Sequence, residues 1–184
     1  GMTWRELGDA ALRYSDNTAG NLLLRGAGGP QGLTAWLRGL GDDVTRSDRW
    51  EPDLNAFTPG DDRDTSTPRA LAGTYGALVL GDVLADPERD VLTDWMVRNT
   101  TGDALVRAAA RPGCVVGDKT GSGAHGTRND VAVVWPGTPG TPDGAPVVLA
   151  ICTDQPDPDA DTVDAPLAEA ARVVLDGLVA ARSG

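Results

Sequence analysis

Lysine is almost absent from this chain: Lys119 is the only one among 16 basic side chains, so arginine carries nearly all the positive charge. His125 is the only histidine, which excludes a multi-histidine metal site. Expected on an exposed turn, it also offers no base for a Ser-His-Asp triad. Cysteine is scarce as well. Cys114 and Cys152 both lie in apolar runs and read as buried free thiols. No apolar stretch approaches the length of a membrane span, and the charged segment Gly1 to Gly20 has no signal-peptide core. A formal net charge of −11 argues against a nucleic-acid partner, whose phosphates call for basic patches.

What remains is ordinary for a folded protein. The 184 residues, 40% hydrophobic and 23% charged, suffice for one buried core. The first half reads as helices. Thr3 and Glu6 form a capping box ahead of Trp4, Leu7, Ala11 and Leu12 on one face. A second helix begins near Asn17 with Leu22, Leu23 and Leu24 directed to a core. A third follows Pro30, with Leu33, Trp36, Leu37 and Leu40 at helical spacing. Trp50 to Thr65, rich in Pro, Asp and Gly without a period, is predicted as a long loop, and such a loop in a compact domain is usually functional or disordered. Thr67-Pro68 opens a long helix with Leu71, Tyr75, Leu78, Val79 and Val83 inward, and Asp86-Pro87 opens another through Val91, Trp95 and Met96. After Gly113 the pattern changes to short β-type runs at Cys114–Val116, Val131–Trp135 and Val147–Ile151, separated by Gly- and Pro-rich turns. An amphipathic helix from about Val163 to Ala180 closes the chain. The sum is α+β, with a helical subdomain over 1–98 and a sheet-bearing part over 99–184 that together make one incomplete domain. Three strands make a thin sheet, which points to missing partner strands.

Several patterns lead nowhere. Gly113 to Thr120 is superficially a phosphate-binding loop, but Asp118 interrupts the required Gly-Lys pair. Asn99-Thr100-Thr101 fits a glycosylation sequon and reads more simply as polar residues at a helix end. The aspartates between Asp154 and Asp164 lack the glycine and glutamate of a calcium loop.

Three segments carry chemistry: Ser15-Asp16-Asn17, Arg49 to Asn55 around Glu51-Pro52, and Lys119-Thr120-Gly121. Each alone is weak. Ser-Asp-Asn is a good helix N-cap, Lys-Thr-Gly a strand running into a turn, and Glu51 a solvated loop acid. In this order and spacing they are specific, because Ser-Asp-Asn and Lys-Thr-Gly mark class A β-lactamases and penicillin-binding proteins. The whole chain resembles the C-terminal two-thirds of a class A serine β-lactamase. Gly1 to Leu24 is similar to the helix leading into the Ser-Asp-Asn loop, Arg49 to Thr65 to the omega loop, and Lys119 to Trp135 to the strand beside the active site and its neighbour. The family's S-x-x-K motif is not here, since no serine stands three residues before Lys119. The nucleophile is therefore missing.

The resemblance implies a β-lactamase/transpeptidase-like fold, a helical subdomain plus an antiparallel sheet flanked by helices, without its N-terminal strands and helices. It implies β-lactam hydrolysis through an acyl-enzyme. Glu51 would be the base that activates the deacylating water, with Asn55 one turn on sharing that water. Glu51-Pro52 would be a cis bond, and Arg49 with Asp64 would close the neck of the loop. Ser15 would pass a proton to the leaving nitrogen, Lys119 would supply positive charge, and Asn17 would bind the substrate's amide side chain. Thr120, Gly121 and Ser122 would line the substrate carboxylate's site, the Ser122 N–H forming half an oxyanion hole. Arg128 fits either a carboxylate-binding arginine or an ordinary strand ion pair. Cys114 and Cys152 would lie on strands separated by a third, too far apart to bridge. No metal or cofactor is implied; the partners are a β-lactam and either the missing N-terminal segment or a second copy of the chain. Location would be secreted or periplasmic. Two other readings stay open: a non-catalytic β-lactam-binding remnant, which the absent S-x-x-K favours, and a transpeptidase relative, against which Glu51 and Asn55 argue. The isolated chain is expected to be inactive, and ordered only against its partner segment or another copy.

Overall fold

A computed structural model describes residues 1–136 and 144–182. Helices come first: α1 (Trp4–Arg13), α2 (Asn17–Gly26), α3 (Gly29–Gly39), α4 (Pro68–Val79), α5 (Asp86–Val97) and the short α6 (Val106–Ala109). Strands β1 (Val115–Ser122), β2 (Arg128–Trp135) and β3 (Val147–Thr153) follow, and α7 (Ala165–Arg182) ends the described chain. The three strands form an antiparallel sheet in sequence order. This is the expected α+β arrangement. The turn expected between β2 and β3 falls on 137–143, outside the described residues.

Local chemistry explains the helix starts. In α1 the Thr3 hydroxyl accepts from the Glu6 N–H and the Glu6 carboxylate accepts from the Thr3 N–H, closing the capping box. Asp16 caps α2 by accepting from Ala19 N at 2.8 Å, and Thr67 caps α4. Proline sits in the first turn of α3, α4 and α5, where no intrahelical N–H is needed.

The core is split by the sheet, and the period-two alternation of β2 assigns its residues to the two faces. Ala132 and Val134 pack with Val106, Ala109, Ala171 and Leu175 of α6 and α7. Val133 and Trp135 pack with Val79 of α4 and Met96 of α5. With both faces covered, β2 is buried from Asp130 to Trp135 and reads as a nearly continuous apolar run.

Several expectations need correction. Trp4 is 64% exposed rather than inward, its indole lying across Gly26 of α2. Trp36 and Leu22 are also exposed, so the apolar stripes of α2 and α3 are only partly used. Helix α4 stops at Val79, leaving Val83 exposed in the following turn. The two cysteines are free, but Cys114 is only half-buried and Cys152 is exposed. They lie at opposite edges of the sheet with β2 between them. His125 is in a turn as expected, yet it is buried rather than exposed.

Candidate active site

The cleft lies between the helical half and the edge of β1 that faces away from β2, with a volume of about 620 Å³, enough for a drug-sized molecule. Of the residues given a role at the site by the resemblance, Pro52 alone is off its wall; Ser15, Asn17, Glu51, Asn55, Lys119 and Arg128 all line it, as do Arg49, Asp64, Thr120, Gly121 and Ser122.

Ser15 sits in the break between α1 and α2. Its neighbour Asp16 does the capping, which leaves the side chains of Ser15 and Asn17 at the cleft. Ser15 has φ +55°, a left-handed conformation uncommon for a non-glycine residue. The break is tied from behind by Thr100, whose N–H and hydroxyl both donate to the Arg13 carbonyl. Across the cleft the Lys119 ammonium donates to Ser15 Oγ at 2.8 Å and to the Thr120 carbonyl at 2.8 Å. Burial pushes the Lys119 pKa down, while the charges of Glu51, Asp118 and Asp130 oppose that shift.

Glu51 and Asn55 belong to a loop built like a clasp. The Glu51-Pro52 bond is cis, and a 3₁₀ turn over Asp53–Asn55 follows it. Asn55 Nδ2 donates to Glu51 Oε2 at 2.5 Å. The turn brings the two side chains into direct contact. At the neck, Arg49 Nε donates to Asp64 Oδ2 at 2.5 Å, and Asp64 Oδ1 accepts from the Asp48 and Arg49 N–H groups. Burial raises the Asp64 pKa, but those hydrogen bonds outweigh it and the net shift is downward.

Arg128 divides its guanidinium between two partners. Nε donates to Asp164 at 2.7 Å and Nη1 to Ser122 Oγ at 3.0 Å. It is at once an ion-pair partner and part of the cleft wall.

Sequence reasoning missed three supports. Asn21 holds Glu51 from behind: its Oδ1 accepts the Glu51 N–H and its Nδ2 donates to the Glu51 carbonyl, both at 2.9 Å. Its i, i+4 spacing from Asn17 on α2 was the available signal. Thr101 places its hydroxyl 2.7 Å from that of Thr120. Finally, Asp118 and Asp130 are fully buried behind the strand, Asp118 paired with Arg107 and Asp130 accepting from Val106 N at 3.1 Å. Burial and the charge of Asp118 push Asp130 up to about 7, and burial with both carboxylates pushes Tyr75 up to about 12. No local pattern announces their burial, since Asp118 stands beside Lys119 and Asp130 follows Arg128-Asn129, neighbours that a solvated carboxylate would also have.

A carboxylate bonded to a carboxamide thus faces an ammonium bonded to a hydroxyl across one cleft. Such a pair of couples can hold a water for proton abstraction on one side and move a proton or bind an anion on the other. Among the described residues no group of three or more His, Cys, Asp or Glu could hold a metal, and no helix is long and apolar enough to cross a membrane.

Fold and cleft together define a β-lactamase/transpeptidase-like protein. The comparisons with known proteins narrow this. The profile of the Beta-lactamase enzyme family matches residues 1–178. A β-lactamase of Amycolatopsis lactamdurans is 58% identical over 178 residues, covering 97% of this chain and 57% of that protein. Beta-lactamase FAR-1 of Nocardia farcinica is 55% identical over 178 residues, covering 97% of this chain and 55% of that protein. A solved halotolerant bacterial β-lactamase superposes with a TM-score of 0.93 at 50% identity, covering 97% of this chain and 67% of that one. The chain belongs to the beta-lactamase enzyme family, on the class A serine branch. It spans a little over half the length of these two sequence relatives.

Proposed function

We propose that this chain supplies the proton-transfer, substrate-binding and deacylation groups for β-lactam hydrolysis, and that the attacking serine with its lysine comes from polypeptide outside residues 1–184. The observation that carries this reading is the facing of two couples, Glu51–Asn55 and Lys119–Ser15, across a single cleft. In an acyl-enzyme the ester carbonyl must be attacked by water. Glu51, oriented through its backbone by Asn21 and through its carboxylate by Asn55, takes a proton from that water. Ser15, polarised by the Lys119 ammonium, relays to the lactam nitrogen the proton that the attacking serine gives up as the ring opens. Asn17 binds the acyl amide, while Thr120, Ser122 and Arg128 bind the substrate carboxylate through hydroxyl and guanidinium donors.

The two stretches 1–98 and 99–184 act in this reading as the helical and sheet-bearing walls of one incomplete domain. The relatives' greater length and the unpaired outer edge of β3 among the described residues support a segment, or a second copy, packing there. A periplasmic or secreted location belongs to the same reading.

The test is a completion experiment. The 184-residue chain alone is expected to show no acylation by intact mass and no turnover of a chromogenic β-lactam. Addition of an N-terminal segment of a relative bearing S-x-x-K restores turnover, and Glu51→Gln in the completed protein stalls as the acyl-enzyme. Acylation of the chain alone, or unimpaired turnover by the Glu51→Gln protein, overturns the reading. Reversible β-lactam binding with no turnover in any arm favours instead a binding remnant, the reading that the absent S-x-x-K supports.

A further inference from the structure

The Asn99-Thr100-Thr101 pattern, which in sequence is no more than polar residues at a helix end, lies where the two walls of the cleft are joined. Asn99 is buried just past α5, and its carboxamide oxygen accepts from the Thr101 N–H at 3.1 Å and from the Thr101 hydroxyl at 2.9 Å. The turn so formed makes contacts in two directions. Thr100 meets the end of α1: its N–H and hydroxyl donate to the Arg13 carbonyl at 3.0 and 2.8 Å, and Arg13 Nε returns a bond to the Arg98 carbonyl at 3.2 Å. Thr101 meets β1, its hydroxyl 2.7 Å from that of Thr120. Gly102 then runs so close to the strand that a Cβ there would lie 1.5 Å from Asp118 Oδ2.

Arg13 is the last residue of α1, so its carbonyl has no partner within the helix. Two residues on, Ser15 has φ +55°, a conformation that a non-glycine residue keeps only where its surroundings hold it. The Asp16 N–H, bonded to the Ala10 carbonyl at 3.2 Å, holds one side of Ser15, and Thr100 holds the other through Arg13. The contacts close into a ring. Lys119 Nζ donates to Ser15 Oγ and to the Thr120 carbonyl, Thr120 touches Thr101, and Thr100 leads back to the helix end that carries Ser15. Glu51 stands outside this ring, held by Asn21 and Asn55.

We infer that Thr100 is a positioning residue for Ser15: by holding the Arg13 carbonyl it keeps the Ser15 hydroxyl within reach of the Lys119 ammonium, and so governs acylation and not deacylation. The clause on acylation rests on the function proposed above; the link from Thr100 to the Ser15–Lys119 contact does not. In acylation the serine oxygen bonds to the lactam carbon and the C–N bond breaks. Ser15 gives its own proton to the nitrogen and takes the one the attacking serine loses, ending as it began. A hydroxyl that must accept and donate in one step depends closely on its placement. Deacylation draws on Glu51, which the ring does not touch. Thr100 is itself exposed, so water replaces part of what its hydroxyl supplies and the effect of losing it is modest.

The experiment compares Thr100→Ser, which keeps the hydroxyl, with Thr100→Val, which keeps only the shape, and Thr100→Gly, which also frees the backbone. Lys119 is the only lysine of the chain, so lysine labelled with carbon-13 at Cε gives one signal, whether the 184-residue chain stands alone or is joined by an unlabelled N-terminal segment. Thr100→Val is expected to move that signal and to lower its titration midpoint by about half a unit, because the ammonium loses an acceptor that favours its charged form. Thr100→Ser leaves it at the wild-type position. In the completed enzyme, single-turnover kinetics are expected to show acylation slowed about threefold by Thr100→Val and about tenfold by Thr100→Gly, with deacylation unchanged and Thr100→Ser equal to wild type. A Lys119 signal that Thr100→Val and Thr100→Gly leave in place, or that Thr100→Ser moves equally, overturns the link even if urea denaturation shows lost stability. Equal slowing of acylation and deacylation overturns the role in acylation. If the completed wild-type protein turns over no β-lactam, the function proposal falls with the acylation clause, while the Lys119 signal still decides the link.

Discussion

Replacing Asp64 by asparagine removes a negative charge from the neck of the loop that carries Glu51 while barely changing shape. Asp64 sits at φ +57°, and asparagine is among the residues that tolerate that conformation, so the backbone is not the variable. The Asp64 side chain is 7% exposed and that of its partner Arg49 is 19% exposed. Its carboxylate accepts three hydrogen bonds, two from the Asp48 and Arg49 backbone and one from the guanidinium. The amide retains one acceptor oxygen and turns an N–H toward a donor, stranding a largely buried arginine. Hydrogen bonds to charged groups contribute about 1.5–3 kcal/mol each, and breaking a buried pair costs about 3–5 kcal/mol. Partial exposure of Arg49 and its second bond, to the Ala56 carbonyl, reduce the loss to about 2–3 kcal/mol. That corresponds to a rise of about 30- to 160-fold in loop opening. Amide exchange and limited proteolysis over 46–65 read it directly. The same pair fixes a pH response. The folded pKa of Asp64 lies below its ordinary value of 3.8, so its stabilisation is complete above 3.8 and disappears as pH falls through the folded value. Exchange over 46–65 that is unchanged in Asp64→Asn, or a variant that keeps the wild-type acid dependence, refutes the reasoning.

Asp130→Asn is expected to make the protein more stable than wild type at pH 8.5, by roughly 2 kcal/mol, and nearly equal to it at pH 5. The folded carboxyl titrates at about 7 against an ordinary 3.8, so wild-type stability falls as pH rises through that window, whereas the amide cannot ionise. Urea denaturation at the two pH values checks this, and a variant less stable than wild type at pH 8.5 contradicts it. Asn21→Ala removes both side-chain bonds to the Glu51 backbone, at a cost of about 1–2 kcal/mol to the local loop. In the completed enzyme it slows deacylation more than acylation, which pre-steady-state kinetics separates; equal slowing of both steps contradicts a role centred on Glu51.

Which parts of this molecule were legible beforehand follows from how local their physics is. Helix starts depend on one side chain and an N–H two or three residues away, so Thr3, Asp16-Asn17, Thr67 and the prolines can be read in line. The short apolar runs after Gly113, separated by Gly- and Pro-rich turns, likewise mark a sheet. The apolar faces of α1 to α3 were legible as stripes, but which of their residues find cover depends on what packs there, and Trp4 and Trp36 do not.

The candidate site divides in the same way. Sequence alone determined the residue types and their order: an acid four residues before an amide, a Ser-x-Asn break between helices, and one lysine before Thr-Gly. Those patterns are written along the chain because each serves its own loop or cap. Only the tertiary structure decided what meets what. Lys119 reaches Ser15 across 104 positions, Asn21 reaches Glu51 across 30, and His125 is buried by two loops that join it from opposite sides. The acids Asp118 and Asp130 acquire their character from burial first and from their charged neighbours second, and both come only with packing. Contacts between distant segments and the loss of water are properties of packing, and no residue carries them by itself.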